Sequence, residues 1–372
     1  MTIPAVIVCE PPGGELKVAG LPLIDRLVIA AHRAKAGAIT VVAAQPWPVL
    51  ERAAALGVPV TFATTCPRLT GPTLVLSDRL LVQPPDLRRL IERSGRLVSR
   101  EGRLLPAGVL TAREGRRWEE QWADLPAVTA EGVAEPVSDG PSAARAARAL
   151  WAAQTSSADG WVDEHFNRPI GRHLSKLLVH TRVSPNEVSL AATLLGLVAA
   201  ACFAQGDYSS ALWGALLLQV SAIIDCVDGD LARILFKESR SGQWLDFGGD
   251  QVVHLGVFAG IGWGLYRAGG GETVLALAAS AVIGVVMSFA VVLHGRLNAG
   301  ARRNTRLQAL IDATTNRDFS VLILVLAAAG RLPWFLWMAA IGVHLFWMAA
   351  LSVQWMHQPV PAVLKAEREG RS

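Results

Sequence analysis

The sequence predicts two parts in series: an α/β domain built on a parallel sheet, then an all-α domain of six transmembrane helices. Three observations carry this. Charge is split along the 372 residues, with 40 Asp, Glu, Lys and Arg in residues 1–184 and only 21 in residues 185–356. Apolar runs alternate with helical patterns through the first hundred residues, as in βαβ units. The second half repeats apolar stretches near the ~20 residues that cross a bilayer. The mean hydropathy of +0.36 therefore averages a soluble and a membrane half. It excludes a single globular core and a disordered chain.

The elements follow in order. Residues 3–9 (IPAVIVC) read as a buried strand, 22–36 as a helix, 38–44 (AITVVAA) as a second strand and 48–56 as a second helix. Strands at 58–63 and 72–78, a helix near 85–93 and a small β segment at 94–110 complete a domain over residues 1–125. Residues 126–142 are rich in Pro, Gly, Ser and acid and read as a linker. Residues 143–184 are amphipathic and basic, carrying Arg145, Arg148, Arg168, Arg172, Lys176 and Arg182. They are expected to lie along a membrane surface. Apolar spans are expected near 187–205, 210–232, 243–266, 273–295, 319–331 and 333–355, the membrane domain being 185–356 and the tail 357–372.

Loop charge sets the expected topology. Residues 296–317 hold Arg296, Arg302, Arg303, Arg306 and Arg317, while the opposite loops hold Arg267 and Arg331. By the positive-inside rule the Arg-rich loop, both termini and the N-terminal domain are cytoplasmic. The N-terminus lacks the basic and apolar regions of a cleaved signal peptide. The four cysteines form no CxxC pair and read as free thiols in a reducing compartment. A net charge of +4 gives no argument for a nucleic-acid partner.

The chemistry concentrates in residues 225–250, DCVDGDLARILFKESRSGQWLDFGGD. Asp225 and Asp228 are three apart at the end of the second span, and Asp246 and Asp250 four apart at the start of the third. Each pair shares a helix face. The short loop at 234–241 makes the two helices antiparallel neighbours, with Asp228 and Asp246 each roughly 7 Å from a helix end. Four carboxylates at one depth need positive charge, at ~2.5–3.5 kcal/mol each on insertion scales. An all-oxygen cluster suits hard divalent cations such as Mg²⁺ or Mn²⁺, which share such sites with phosphates. Two ions would bind a diphosphate and assist its displacement. One carboxylate would instead serve as base on an attacking hydroxyl. Gly229 allows close ligand approach, Ala232 keeps its turn small, Arg233 offers charge to a phosphate, and Gly242, Gly248 and Gly249 keep the third helix slim. Helix caps, an ion-coupled transporter or a structural membrane protein are rival readings of the acids.

The pattern DxxDGxxAR, eight residues, then GxxxDxxxD resembles the signature of the CDP-alcohol phosphotransferases. It comprises Asp225, Asp228, Gly229, Ala232, Arg233, Gly242, Asp246 and Asp250. The resemblance implies six membrane helices, often paired as homodimers, and transfer of a substituted phosphate from a CDP-alcohol to an acceptor alcohol with release of CMP. It implies two divalent metals on Asp225, Asp228 and Asp246, with Asp250 as base near or on the second metal. Asn186, in a Pro-Asn pair with Pro185, would join Asp225, Gly229, Ala232, Arg233 and Gly242 around the CDP moiety.

Residues 158–189 and 315–320 (TNRDFS) are similar to the di-myo-inositol-phosphate-phosphate synthases, which are often fused to a cytidylyltransferase. The N-terminal half is similar in outline to that nucleotidyltransferase fold, in LKVAGLPLIDR (16–26) and in LVLSDRLLVQP (74–84), where Asp78 would be the remnant metal ligand. The nucleotide loop is cut to CEPPGGELK (9–17) and the domain is short. A truncated, inert domain is therefore expected, with an active cytidylyltransferase making the donor as the alternative. The donor is expected to be CDP-inositol-like or CDP-diacylglycerol. Arg168, Arg172, Arg296, Arg302, Arg303 and Arg317 are candidates to hold an anionic acceptor such as an inositol phosphate.

Overall fold

The computed structural model describes residues 2–10, 16–45, 47–111, 122–154, 161–298 and 319–356. The chain divides into two units, Met1–Gln154 and Thr155–Ser372.

The first unit is a seven-stranded sheet. Its strands are β1 (Ala5–Val8), β4 (Ile39–Val42), β5 (Val60–Ala63), β6 (Thr73–Ser77), β8 (Arg96–Val98), β9 (Leu104–Leu110) and β10 (Ala127–Thr129), in the order β10-β8-β9-β6-β1-β4-β5. β1 lies parallel to both β4 and β6, and β4 to β5, so the centre is parallel as expected. β9 runs antiparallel to β6 and β8. The apolar run of β1 fits a strand covered on both faces. Helices α1 (Leu23–Arg33), α2 (Glu51–Ala55) and α3 (Pro84–Arg93) complete the α/β pattern, with a small hairpin of β2 (Lys17–Val18) and β3 (Leu21–Pro22) ahead of α1. Strand β7 (Leu80–Val82) precedes α3.

Two polar residues of the LKVAGLPLIDR element are consumed by this architecture. The buried Asp25 carboxylate accepts from the backbone amides of Arg52 and Ala53 at 2.8 and 2.7 Å, capping α2. The buried Arg26 guanidinium donates to the carbonyls of Val18 and Ala19, both at 2.8 Å, fixing the hairpin.

Residues 126–142 are not the expected linker. They contain β10 and β11 (Ala134–Pro136), the latter antiparallel to β7. The capture is tertiary: Asp86 accepts from the amides of Glu131 and Gly132 at 2.9 and 3.0 Å, and Gln83 from Val133 at 3.1 Å. Helix α4 (Gly140–Ala152), opened by an Asp139–Ser142 capping box, packs on β2 and β11. Its buried Ala143, Ala146, Leu150 and Trp151 belong to this unit. The stretch with Arg145 and Arg148, expected at a membrane surface, therefore supports the α/β unit instead.

The second unit begins with a π-helical turn (Asp163–Asn167) running into α5 (Arg168–Leu178). Helix α6 (Pro185–Phe203) starts at a Ser184–Glu187 capping box with Pro at N1. Helix α7 (Tyr208–Ile234) is capped by Asp207 and α8 (Arg240–Leu265) by Ser239. The chain then reverses at Gly269 (φ 93°) and Gly271 (φ 71°), conformations open to glycine, before α9 (Gly271–Asn298). Helices α10 (Phe319–Ala328) and α11 (Leu332–Met356) follow. Among the described residues, Pro185–Phe203, Tyr208–Ile234, Arg240–Gly295 and Leu332–Gln354 are long and apolar enough to cross a membrane. These stretches mark the chain as an integral membrane protein. The fifth span, expected at 319–331, is a ten-residue helix here.

α6 and α8 approach through small residues. A β-carbon at Gly260 or Gly264 of α8 would run into the carbonyl oxygens of Ala200 and Phe203 on α6. Close backbone contact of this kind is how membrane helices associate without a hydrophobic drive. It holds α8 against α6 along the length that leads to the acids.

Candidate active site

The antiparallel pair α7–α8 brings the acids together. One oxygen each of Asp225, Asp228 and Asp246 lies within 4.8 Å of the others. Asp228 is buried, and Asp225 and Asp246 are half-buried. The turn between the helices explains the convergence. Phe236 takes a left-handed φ of 54° and the Lys237 amide closes on the Ala232 carbonyl at 2.8 Å, ending α7. The Ser239 hydroxyl then accepts from the Gly242 amide at 2.9 Å and starts α8. Asp250, one turn beyond Asp246 and half-buried, stands outside the three-carboxylate set.

Beside the acids is a cleft of about 240 Å³. Asn186, Asp228, Gly229, Ala232, Arg233, Gly242 and Asp246, all singled out from the sequence, line it together. Asp225 belongs to the carboxylate set but not to the cleft lining. At Gly242 a β-carbon would sit 2.8 Å from Asn186 Oδ1 and 3.0 Å from Ser239 Oγ, so glycine leaves these two side chains in place. At Gly229 a β-carbon would come within 3.3 Å of the Arg233 guanidinium. Gly249 packs on Thr193 of α6, whereas nothing lies within 4 Å of a β-carbon at Gly248. Gly248 is therefore not needed to keep that face slim.

Ser189 and Lys237 are among the lining residues that escaped the sequence reading, with Glu238, Ser239 and Gln243. The Ser189 hydroxyl donates to Asp228 Oδ2. Its signal was present, because Ser189 follows Asn186 by three residues on one face of α6. Lys237, in the α7–α8 turn, also faces the cleft, and no periodicity marks a loop residue.

Neither Arg168 nor Arg172, the two acceptor candidates whose side chains are among the described residues, lines this cleft. Arg168 is buried and pairs with Asp230 at 2.6 Å. Its place is an ion pair between α5 and α7, where an uncompensated Asp230 would be costly. Arg172 is half-buried on α5 and does not line the cleft. Arg302, Arg303, Arg306 and Arg317 lie outside the described residues, as does the side chain of Arg296.

In the first unit Asp78 stands at the end of β6, buried, with Oδ1 accepting from the Glu10 amide at 3.3 Å. Burial pushes its carboxyl up to about 6. Burial, with Asp78 alongside, raises the neighbouring Cys9 thiol to about 12.

The donor set fits hard divalent cations: it is all carboxylate, drawn from two helices and partly shielded from water. Comparison with known proteins agrees with this chemistry. Residues 182–360 match the family model described as CDP-alcohol phosphatidyltransferase. The chain is 31% identical over 198 residues to the bifunctional IPC transferase and DIPP synthase of Archaeoglobus fulgidus, covering 52% of this chain and 38% of that protein. It is 30% identical over 184 residues to the phosphatidylinositol phosphate synthase of Cutibacterium acnes, covering 46% of this chain and 82% of that one. A crystal structure of the Mycobacterium tuberculosis phosphatidylinositol phosphate synthase with CDP-DAG bound aligns with a TM-score of 0.37 and 16% identity, over 51% of this chain and 94% of that one. The chain spans less than half the length of the curated bifunctional relatives it matches.

Proposed function

The chain belongs to the CDP-alcohol phosphatidyltransferase family, and from that premise we propose that its membrane helices transfer a substituted phosphate from a CDP-alcohol to an acceptor alcohol, releasing CMP. The observation that carries this is the meeting of Asp225, Asp228 and Asp246 beside a cleft lined by Asn186, Gly229, Ala232, Arg233 and Gly242. The three carboxylates would hold the divalent cations, Mg²⁺ or Mn²⁺. The bound ions would supply neutralisation of the diphosphate charge and of the leaving phosphate.

The rest falls to the chain. Gly229 and Ala232 let the diphosphate approach α7, Arg233 neutralises one phosphate, and Asn186 with Gly242 borders the nucleoside. Asp250 takes the proton of the acceptor hydroxyl as its oxygen bonds to the phosphorus bearing the donor alcohol, while the bridging P–O bond breaks toward CMP. Ser189 holds Asp228 in place. Inositol recurs in the names of the relatives, which supports an inositol phosphate as acceptor and CDP-inositol or CDP-diacylglycerol as donor.

Six crossings follow if the Gly269 reversal separates α8 from α9 and α10 counts as the fifth span. The N-terminal unit then lies on the cytoplasmic side with the cleft. This unit is read as an inert scaffold, because Asp25 and Arg26 serve its packing and Asp78 is buried. The test is CMP release from CDP-inositol, CDP-glycerol and CDP-diacylglycerol with Mg²⁺ or Mn²⁺, followed by mass analysis of the product. One donor should turn over, with chelation and Asp250→Asn each abolishing release. Full release by Asp250→Asn would refute the assigned base, and consumption of CTP with an alcohol phosphate would refute the inert scaffold.

A further inference from the structure

We infer that Asp230, a residue outside the signature positions, is a positioning residue that aims Arg233 into the cleft and ties that arginine to helix α5. The inference rests on the reading of the cleft as a CDP site.

Asp230 lies two residues beyond Asp228, so it points away from the carboxylate cluster and toward α5. It is fully buried. Its Oδ1 accepts from Arg168 Nη1 at 2.6 Å and from Arg233 Nη2 at 3.1 Å, and its Oδ2 accepts from the Ser175 hydroxyl at 3.4 Å. Arg168 is 6% exposed and Ser175 is fully buried. These two residues, with Gly171 between them, form one stripe of α5. A β-carbon at Gly171 would sit 2.9 Å from the Ile223 carbonyl of α7, so this stripe lies directly on α7. The outer side of α5 carries the exposed Ile170 and Leu177. The helix thus turns a polar stripe inward, while its exposed side mixes Ile170 and Leu177 with His173 and Lys176.

Clamping α5 to α7 needs only the Arg168–Asp230 pair. The second contact has a different consequence. Arg233 is three residues along α7 from Asp230 and lines the cleft beside Gly229. A guanidinium is long and rotamer-rich, and a charge-assisted bond from its own helix restricts where it points. Asp230 therefore couples the seat of α5 to the orientation of the phosphate-facing arginine.

The experiment is equilibrium binding of CDP, with Mg²⁺, to the full chain in detergent micelles, alongside Mn²⁺ affinity and thermal unfolding. Asp230→Asn should weaken CDP about tenfold, as one charge-assisted bond is worth, with Mn²⁺ affinity unchanged. Asp230→Glu should recover most of the loss. In the Arg233→Gln background, Asp230→Asn should add nothing. Arg168→Met should lower thermal stability but leave CDP affinity within about threefold. Should Asp230→Asn fail to fold with Arg168 left uncompensated, Arg168→Met/Asp230→Asn removes both charges, and the tenfold loss is expected relative to Arg168→Met. Equal weakening by Arg168→Met and Asp230→Asn, or additive losses with Arg233→Gln, would overturn the inference alone. Failure of the unaltered chain to bind CDP would overturn the reading of the cleft, and this inference with it.

Discussion

Gly196 of α6 and Val253 of α8 set the separation of the two helices that flank the site, and alanine at 196 should cripple it from a distance. A β-carbon at Gly196 would lie 2.6 and 2.7 Å from the two methyl carbons of Val253. Carbon pairs settle at about 3.5–4.0 Å, so the helices must part by about 1 Å. Both methyls clash, so rotation of the β-branched side chain gives no relief, and Val253 is fully buried. Ser189 is seven residues from Gly196, and Asp246 seven from Val253, or roughly 10 Å along each helix. Over that distance a displacement is transmitted with little loss to the Ser189–Asp228 bond and to Asp246. A 1 Å misplacement costs on the order of 10²-fold in rate, with ~1–3 kcal/mol of stability lost to overpacking. The assay is kcat/KM for CMP release. Gly196→Ala/Val253→Ala removes both clashing methyls and should return to within about fivefold of Val253→Ala alone. Gly196→Ala with more than half the original kcat/KM, or a double variant no better than Gly196→Ala, would refute the reasoning.

Three further outcomes are expected. Burial holds the Asp78 carboxyl at about 6 in the fold, above the ~3.9 of a free Asp. Its contribution is thus complete below the unfolded value and lost as pH rises through about 6. Asp78→Asn should remove a penalty of up to about 3 kcal/mol at pH 8, read as increased hydrogen-exchange protection in β1 and β6, and equal protection at pH 8 would contradict the assignment. Gly264→Ala should destabilise the bundle by ~1–3 kcal/mol in thermal unfolding, while Gly248→Ala, with open space around it, should be neutral or stabilising. Ser184→Ala removes the cap of α6 and should cost about 1 kcal/mol, a fall of roughly 2–4 °C in Tm.

What the sequence carried and what it hid divide along a physical line. Asp225, Asp228, Gly229, Ala232, Arg233, Gly242 and Asp246 were legible because a short loop and helical periodicity fix their relative places before any tertiary packing is known. The parallel centre of the sheet was legible for the same reason, in the alternation of apolar runs and helices. The Arg168–Asp230 pair spans 62 residues, and no local pattern announces such a partnership. Residues 126–142 had the composition of a linker, yet Gln83 and Asp86 capture their amides and two three-residue strands form. Arg145 and Arg148 sit on an amphipathic helix in either setting, since packing on a soluble sheet and lying on a membrane demand the same alternation of faces. The glycines at 260 and 264 were visible but acquire meaning only against Ala200 and Phe203.

The central claim is that Asp225, Asp228 and Asp246 form one divalent-cation site. Titration of Mn²⁺ into the full chain, followed by electron paramagnetic resonance, tests it most directly, with Asp246→Asn as the comparison. The unaltered chain should bind Mn²⁺ saturably, and Asp246→Asn should lose about 100-fold or more in affinity, because one of three converging carboxylates is gone. Equal Mn²⁺ affinity in the two proteins would contradict it.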